Sequence, residues 1–236
     1  MTESRTTTGP RVASSALTHV SSGKVRLEGM LELPANAQGI VLFAHGSGSS
    51  RLSPRNNYVA RELRAAGHGT LLLDLLTRDE DQTYETRFDI GLLTRRLADA
   101  TRWLKEHREA GNLPLGLFGA STGAAAALRV AAEFPGDVAA VVSRGGRPDL
   151  AGNENLAQVR APTLLIVGGA DYQVIELNEK AYRELSCEKA MEIVPGATHL
   201  FDEPGALENV AALAARWFTP IKAILSLITT PRRTCC

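Results

Sequence analysis

The sequence predicts an α/β fold built on a doubly wound, mostly parallel sheet. Short, continuous apolar runs alternate along the chain with segments whose apolar residues recur at helical spacing. Continuous apolar runs are typical of strands buried on both faces of a parallel sheet that helices cover. Most of the runs end in glycine or other turn residues, and 236 residues suit one domain with a single sizeable core.

The individual strands and helices follow from these patterns in chain order. ALTHV and VRLEGMLELP are predicted to be a pair of strands, the second with alternating apolar and polar residues. Buried strands are expected next at GIVLFAHG, TLLLDLL, LPLGLFGAS, DVAAVVSRGG, APTLLIVGGAD and KAMEIVPGATH. Helices are expected at NNYVARELRAAG, over residues 90–109, and at AAAALRVAAEF, ELNEKAYRELS and GALENVAALAARWF.

The chain divides into a main domain and two short ends. We expect a polar segment over residues 1–23 that leads into the first strand, the α/β domain over 24–218, and an extension over 219–236. The extension ends in Cys235-Cys236, which resembles the doubly prenylated ends of some small GTPases. Nothing else in the chain resembles a GTPase, so a loosely ordered extension is the simpler interpretation.

Charge and composition exclude several classes of partner. Lys plus Arg number 26, as do Asp plus Glu, so no net field attracts nucleic acid or an anionic membrane. Neither a membrane span nor a secretory signal is visible, which makes a cytoplasmic location the expectation. The three cysteines do not suit a disulfide framework or a zinc site. With no metal or nucleotide motif, we expect no cofactor, and no pattern specifies an oligomeric state.

Four predicted strand ends carry the residues of a candidate site. Parallel α/β sheets bind ligands outside the carboxyl ends of their strands, and the ends here are HGSGSS, GASTG, GGAD and GATH. GASTG fits the G-x-S-x-G pattern between a predicted strand and a predicted helix. Glycines two residues either side of Ser121 make room for a sharp turn that exposes its hydroxyl. We therefore predict that Ser121 is a nucleophile.

A serine nucleophile needs a base, and the base needs an acid that fixes its tautomer. His199 follows the last predicted strand and Asp171 follows the strand before it, in the chain order that this architecture uses. Asp171 could instead cap the next helix, and His199 could be a histidine of a surface turn. Asp74 and Asp89 are the alternative acids.

The remaining candidates would bind substrate. Backbone N–H groups of Ser47 and Thr122 are predicted to form an oxyanion hole, because small residues around them let a substrate oxygen approach. His45 ends a buried strand beside the site and is either a structural residue of the loop, a substrate contact or a competing base. Arg55 and Arg144 could bind a substrate carboxylate or face solvent.

These motifs resemble the α/β-hydrolase superfamily, and more narrowly its dienelactone-hydrolase-like branch, over about residues 24–218. Only 19 residues, Arg144 to Pro162, stand where larger relatives insert a helical cap, so the resemblance implies an open site with little or no cap. Dienelactone hydrolases proper carry cysteine at the nucleophile elbow, which is the sharp turn between strand and helix where this chain has Ser121.

The resemblance implies a serine hydrolase that cleaves an ester or lactone of a small molecule through an acyl-enzyme. An acyltransferase or perhydrolase that uses the same residues, and a binding protein without turnover, are the alternatives. Each would use the same fold, so the motifs alone do not separate them.

Overall fold

A computed structural model describes residues 12–219 of the chain. The predicted extension beyond Thr219, including Cys235-Cys236, lies outside the described residues, as do residues 1–11. The eight strands are β1 (Val12–Ser22), β2 (Val25–Pro34), β3 (Ile40–Ala44), β4 (Gly69–Leu73), β5 (Leu115–Ala120), β6 (Val138–Arg144), β7 (Thr163–Gly168) and β8 (Lys189–Val194). The helices are α1 (Pro54–Ala65), α2 (Tyr84–Arg87), α3 (Ile90–Glu106), α4 (Thr122–Glu133), α5 (Asn153–Gln158), α6 (Tyr172–Glu184) and α7 (Ala206–Phe218).

All eight strands form one sheet in the order β1-β2-β4-β3-β5-β6-β7-β8. The pairings of β1 with β2 and of β2 with β4 are antiparallel, and all later pairings are parallel. This confirms the predicted mostly parallel α/β sheet. Since β3, β5, β6, β7 and β8 run in one direction, their carboxyl ends lie along one edge.

Two apolar clusters, one on each face, hold the layers together. In β3, Leu42 belongs to the cluster that packs against α3 and α4, whereas Val41 and Phe43 belong to the cluster with α1 and α7. Every residue of β3, β4, β5 and β7 is buried. This is the burial expected of strands covered on both faces, and it explains their continuous apolar runs.

Two connections at the carboxyl edge of the sheet contain short helical segments. Between β6 and β7 the chain forms a 3₁₀ turn at Pro148–Ala151 and the six-residue α5, so this connection contains no helical cap domain. Between β4 and α3 lie a 3₁₀ turn at Glu80–Gln82 and α2, neither of which the sequence predicted. No helix within residues 12–219 is long and apolar enough to span a bilayer.

Candidate active site

Ser121 occupies a strained turn between β5 and α4. Its φ is 51° and its ψ is −123°, a backbone conformation that non-glycine residues seldom adopt and that costs energy. Its N–H donates to the Arg144 carbonyl across a donor–acceptor distance of 3.3 Å, and its own carbonyl accepts from Arg147 N–H at 3.0 Å. The turn is therefore fixed by β6 and by the segment that follows β6.

The glycines around Ser121 are sterically required. A Cβ at Gly119 would lie 2.4 Å from the Ala124 Cα, and a Cβ at Gly123 would lie 2.2 Å from the Ala44 carbonyl oxygen. Gly46, from the facing loop, is also constrained, although less tightly, because its Cβ would lie 2.8 Å from the Ser121 Cβ. The sequence pattern identified the first two glycines, whereas Gly46 is recognised only once the loop is seen against Ser121.

Asp171 and His199 form a hydrogen-bonded pair. The distance between Asp171 Oδ2 and His199 Nδ1 is 2.7 Å, with the Asp171 side chain 16% exposed and that of His199 39% exposed. Asp171 stands at the N-cap position of α6, but its carboxylate makes no capping hydrogen bond. The carboxylate on Nδ1 favours the tautomer with its proton there and leaves Nε2 free to accept.

The alternative acids have other partners. Asp74 accepts from the Arg51 backbone N–H and pairs with the Arg51 guanidinium, and Asp89 caps α3 by accepting from Leu92 N–H at 2.9 Å. Among the acids weighed from the sequence, Asp171 is the one that contacts His199.

His45 is buried within the fold, with 5% of its surface exposed. Its Nδ1 lies 2.9 Å from the Gly46 carbonyl oxygen, and its Nε2 accepts from Leu75 N–H at 2.9 Å. Burial lowers the pKa of His45, although the Gly46 carbonyl and the charge of Asp74 act in the opposite direction. With both ring nitrogens bound to backbone, His45 joins the strand ends of β3 and β4 and is not available to substrate in this structure.

Ser121 and His199 line one cavity of about 150 Å³ at the carboxyl edge of the sheet. Its other walls come from Gly46, Ser47, Ser49, Ser53, Arg55, Ala120, Arg144, Gly145 and Leu200. Ser121 Oγ makes no hydrogen bond to a described residue here, and in free enzymes the contact between nucleophile and base often tightens only when substrate binds. A larger cavity of about 660 Å³ lies at the opposite edge, beside Pro114, Val138 and Pro162, away from Ser121 and His199.

The predicted oxyanion donors lie side by side. Ser47 lines the cavity, and its N–H donates to the Thr122 hydroxyl, with 3.1 Å between N and Oγ1. Thr122 is the first residue of α4, where backbone N–H groups have no partner within the helix. The sequence suggested the backbone of Thr122 but gave no sign that its hydroxyl would engage Ser47.

Arg144 is buried, so the expectation that it faces solvent is wrong. The residue is 8% exposed and lines the cavity, and Arg55 lines it as well with a side chain 33% exposed. Burial, and to a lesser extent repulsion by Arg55, lowers the pKa of Arg144 to about 10, while Asp202 acts in the opposite direction. Arg144 is therefore a buried cation at neutral pH.

The sequence and structure of this chain match known proteins. A model of the dienelactone hydrolase family matches residues 27–225. The chain belongs to the dienelactone hydrolase family. Its fold is accordingly that of the α/β hydrolases, as the motifs predicted, and the family match covers Ser121, Asp171 and His199.

Solved structures agree with this assignment. The chain superposes on a dienelactone hydrolase from Anabaena variabilis with a TM-score of 0.85 and 56% identity, over 89% of this chain and 97% of that one. It superposes on Est1E from Butyrivibrio proteoclasticus with a TM-score of 0.72 and 14% identity, over 91% and 99% of the two chains. At 14% identity, the likeness to Est1E shows a shared fold only.

A curated relative from Mycobacterium tuberculosis is longer. The chain is 56% identical over 199 residues to a protein named "Putative phosphoribosyl transferase", covering 84% of this chain and 45% of that protein. The chain thus spans less than half the length of this relative, and the relative's name describes a protein of more than twice the matched length.

Proposed function

We propose that this member of the dienelactone hydrolase family cleaves a carboxylic ester or lactone of a small molecule through an acyl-enzyme on Ser121. The observation that carries the proposal is the hydrogen bond between Asp171 and His199, 2.7 Å long, with His199 lining the same cavity as Ser121. A strained serine, a histidine and a carboxylate in this order are what nucleophilic acyl transfer requires.

The first half of the reaction forms the acyl-enzyme. His199 Nε2 takes the Ser121 proton while Oγ attacks the substrate carbonyl carbon, and Asp171 stabilises the imidazolium that results. The N–H group of Thr122 stabilises the negative charge on the carbonyl oxygen, and the N–H group of Ser47 joins it by sharing its hydrogen between that oxygen and the Thr122 hydroxyl to which it donates in this structure. When the carbon–oxygen bond breaks, His199 returns the proton to the departing alcohol, which stays attached to the acyl group if the substrate is a lactone.

The second half of the reaction releases the product. A water molecule gives a proton to His199 and adds to the acyl carbon, and the collapse of this intermediate restores the Ser121 hydroxyl and frees a carboxylic acid. If an alcohol or hydrogen peroxide replaced water, the same residues would perform acyl transfer or perhydrolysis. Product analysis with a competing alcohol or peroxide separates these outcomes.

Turnover of p-nitrophenyl acetate by the Ser121→Ala variant tests the proposal. Loss of a triad nucleophile lowers kcat by several orders of magnitude, so we expect a decrease of about 10³-fold or more. Ser186→Ala, at an exposed serine after α6, is the matched control and should keep wild-type turnover. Equal turnover by Ser121→Ala and the wild type would overturn the proposal.

A further inference from the structure

The cavity of about 660 Å³ at the edge opposite Ser121 has mostly apolar walls. It lies at the amino ends of β5, β6 and β7, and its apolar members include Leu113, Pro114, Pro135, Val138, Ala161 and Pro162. Two of its charged members, Lys105 and Asp137, pair with each other at 3.0 Å. Within residues 12–219, none of the buried side-chain atoms that lack a hydrogen-bond partner belongs to this cavity. The walls therefore suit an apolar occupant.

Helix α7 ends beside this cavity. Trp217 Nε1 donates to the carbonyl oxygen of Pro162, with 3.3 Å between the two atoms, and Pro162 lines the cavity. The ring of Phe218 is buried against the start of β5, where a Cβ at Gly116 would lie 2.6 Å from it. These contacts fix the end of α7 against the strands, so the residues that follow Thr219 begin next to the cavity.

The sequence after α7 favours a new helix rather than a continuation of the old one. Pro220 has no N–H group, so a regular extension of α7 would lose a hydrogen bond at this position. Residues 221–228 read IKAILSLI, and four apolar residues recur at the spacing of one helix face: Ile221, Ile224, Leu225 and Ile228. Lys222 and Ser226 would lie on the other face. The pattern predicts an amphipathic helix of about two turns, which is too short to be stable in water without a surface to pack against.

We propose that residues 221–228 form a short helix that docks with its apolar face in this cavity of the same chain. The position of Thr219 brings the segment to the cavity, and the apolar face of the segment matches the apolar walls. A cavity of this volume could also hold a small molecule, but ligand sites usually combine apolar walls with polar groups that converge on the ligand. Here Arg160 and Glu188 are exposed, and Lys105 is already paired with Asp137.

Photo-crosslinking in the full chain tests the proposal directly. We place p-benzoylphenylalanine at position 224, on the predicted apolar face, irradiate the protein and identify the cross-linked peptides by mass spectrometry. We expect cross-links within one chain to peptides that contain the cavity residues 111–114, 135–139 or 160–162. Position 226 is on the opposite face of the predicted helix, so the same probe there should give these cross-links at about a tenth of the yield or less.

Mixing isotope-labelled and unlabelled chains before irradiation distinguishes docking within one chain from docking between two. Cross-links that join a labelled peptide to an unlabelled one would overturn the proposal and assign the cavity to a second copy of the chain. Cross-links from position 224 to another surface, equal yields from positions 224 and 226, or the absence of any cross-link would also overturn it.

Urea titrations give a second measurement that does not depend on the probe. Ile224→Asp places a charge on the predicted apolar face, so we expect the urea midpoint of unfolding to fall by about 0.5 M or more relative to the wild type. Ser226→Asp adds the same charge to the opposite face and should keep the wild-type midpoint. Equal midpoints for the two variants would overturn the proposal. Neither measurement uses the chemistry of Ser121, so both results are independent of the proposed function.

Discussion

The backbone N–H of Ser47 donates a hydrogen bond to the hydroxyl of Thr122, with 3.1 Å between the two atoms. Thr122 is 2% exposed and follows Ser121 directly. The bond therefore ties the loop after β3 to the helix that carries the nucleophile. The bond holds the two proposed oxyanion donors side by side before substrate arrives, and the Ser47 N–H must then share its hydrogen with the substrate oxygen.

Thr122→Val tests whether this bond positions the loop. Valine keeps the shape of threonine but removes the acceptor, so we expect kcat for p-nitrophenyl acetate to fall by about tenfold or more. We expect KM to change little, because the interaction concerns the transition state. Thr122→Ser restores the hydroxyl and should recover most of kcat. A Thr122→Val variant with undiminished kcat would show that the bond is irrelevant to catalysis.

Gly123→Ala tests the packing of the elbow against β3. The new Cβ would lie 2.2 Å from the Ala44 carbonyl oxygen, so either the helix or the strand must move. We expect the free energy of unfolding in urea to fall by about 1–3 kcal/mol. Gly136→Ala is the matched control, since its Cβ would meet no atom within 4 Å. If the two variants were equally stable, the steric account of the elbow would be wrong.

The burial of His45 predicts a loss of stability in acid. Burial lowers the pKa of His45 below the ordinary 6.5. Below about pH 6.5 the unfolded chain therefore binds a proton at this residue that the folded chain does not bind. The free energy of unfolding should therefore decline as the pH falls below that value. His68, whose pKa burial also lowers, contributes in the same direction.

Urea titrations between about pH 5 and pH 8 measure this dependence. His45→Gln should have a smaller decline than the wild type, whereas His19→Gln, at an exposed histidine, should match the wild type. An unchanged decline in His45→Gln would contradict the assignment of a buried neutral imidazole.

The buried cation of Arg144, whose Nε and Nη1 have no hydrogen-bond partner among the described residues, predicts a cost in stability. Methionine approximates the length of arginine without its charge, so Arg144→Met should raise the free energy of unfolding by about 1–3 kcal/mol. At pH values above about 10, where the pKa of Arg144 lies, the wild type loses this cation. The difference in free energy of unfolding between Arg144→Met and the wild type should then become smaller. Chemical denaturation measures both effects. A variant less stable than the wild type would mean that Arg144 has a stabilising partner.

The parts of the site that were predictable from sequence are those fixed by short stretches of chain. The run LGLFGASTG contains both the buried strand and the glycines of the elbow, and strand order then placed Asp171 and His199 at the same edge. By contrast, the bond from Ser47 to Thr122 joins residues 75 positions apart. The buried Arg144 lies against Phe201, with 5.9 Å between its Cζ and the ring centroid, and Phe201 is itself in a left-handed conformation with φ 58°. Such relations depend on tertiary packing and leave no local pattern.

The most direct test of the central claim is to locate the adduct of a fluorophosphonate probe by mass spectrometry of the digested protein. We predict that the folded wild type is labelled on Ser121, because His199 activates that hydroxyl. We also predict that the labelling rate of His199→Ala is lower than that of the wild type by a factor of about 100 or more. Ser121→Ala should carry no adduct. Labelling at another residue, or an unlabelled Ser121 in protein that still hydrolyses p-nitrophenyl acetate, would contradict the assignment of Ser121 as the nucleophile.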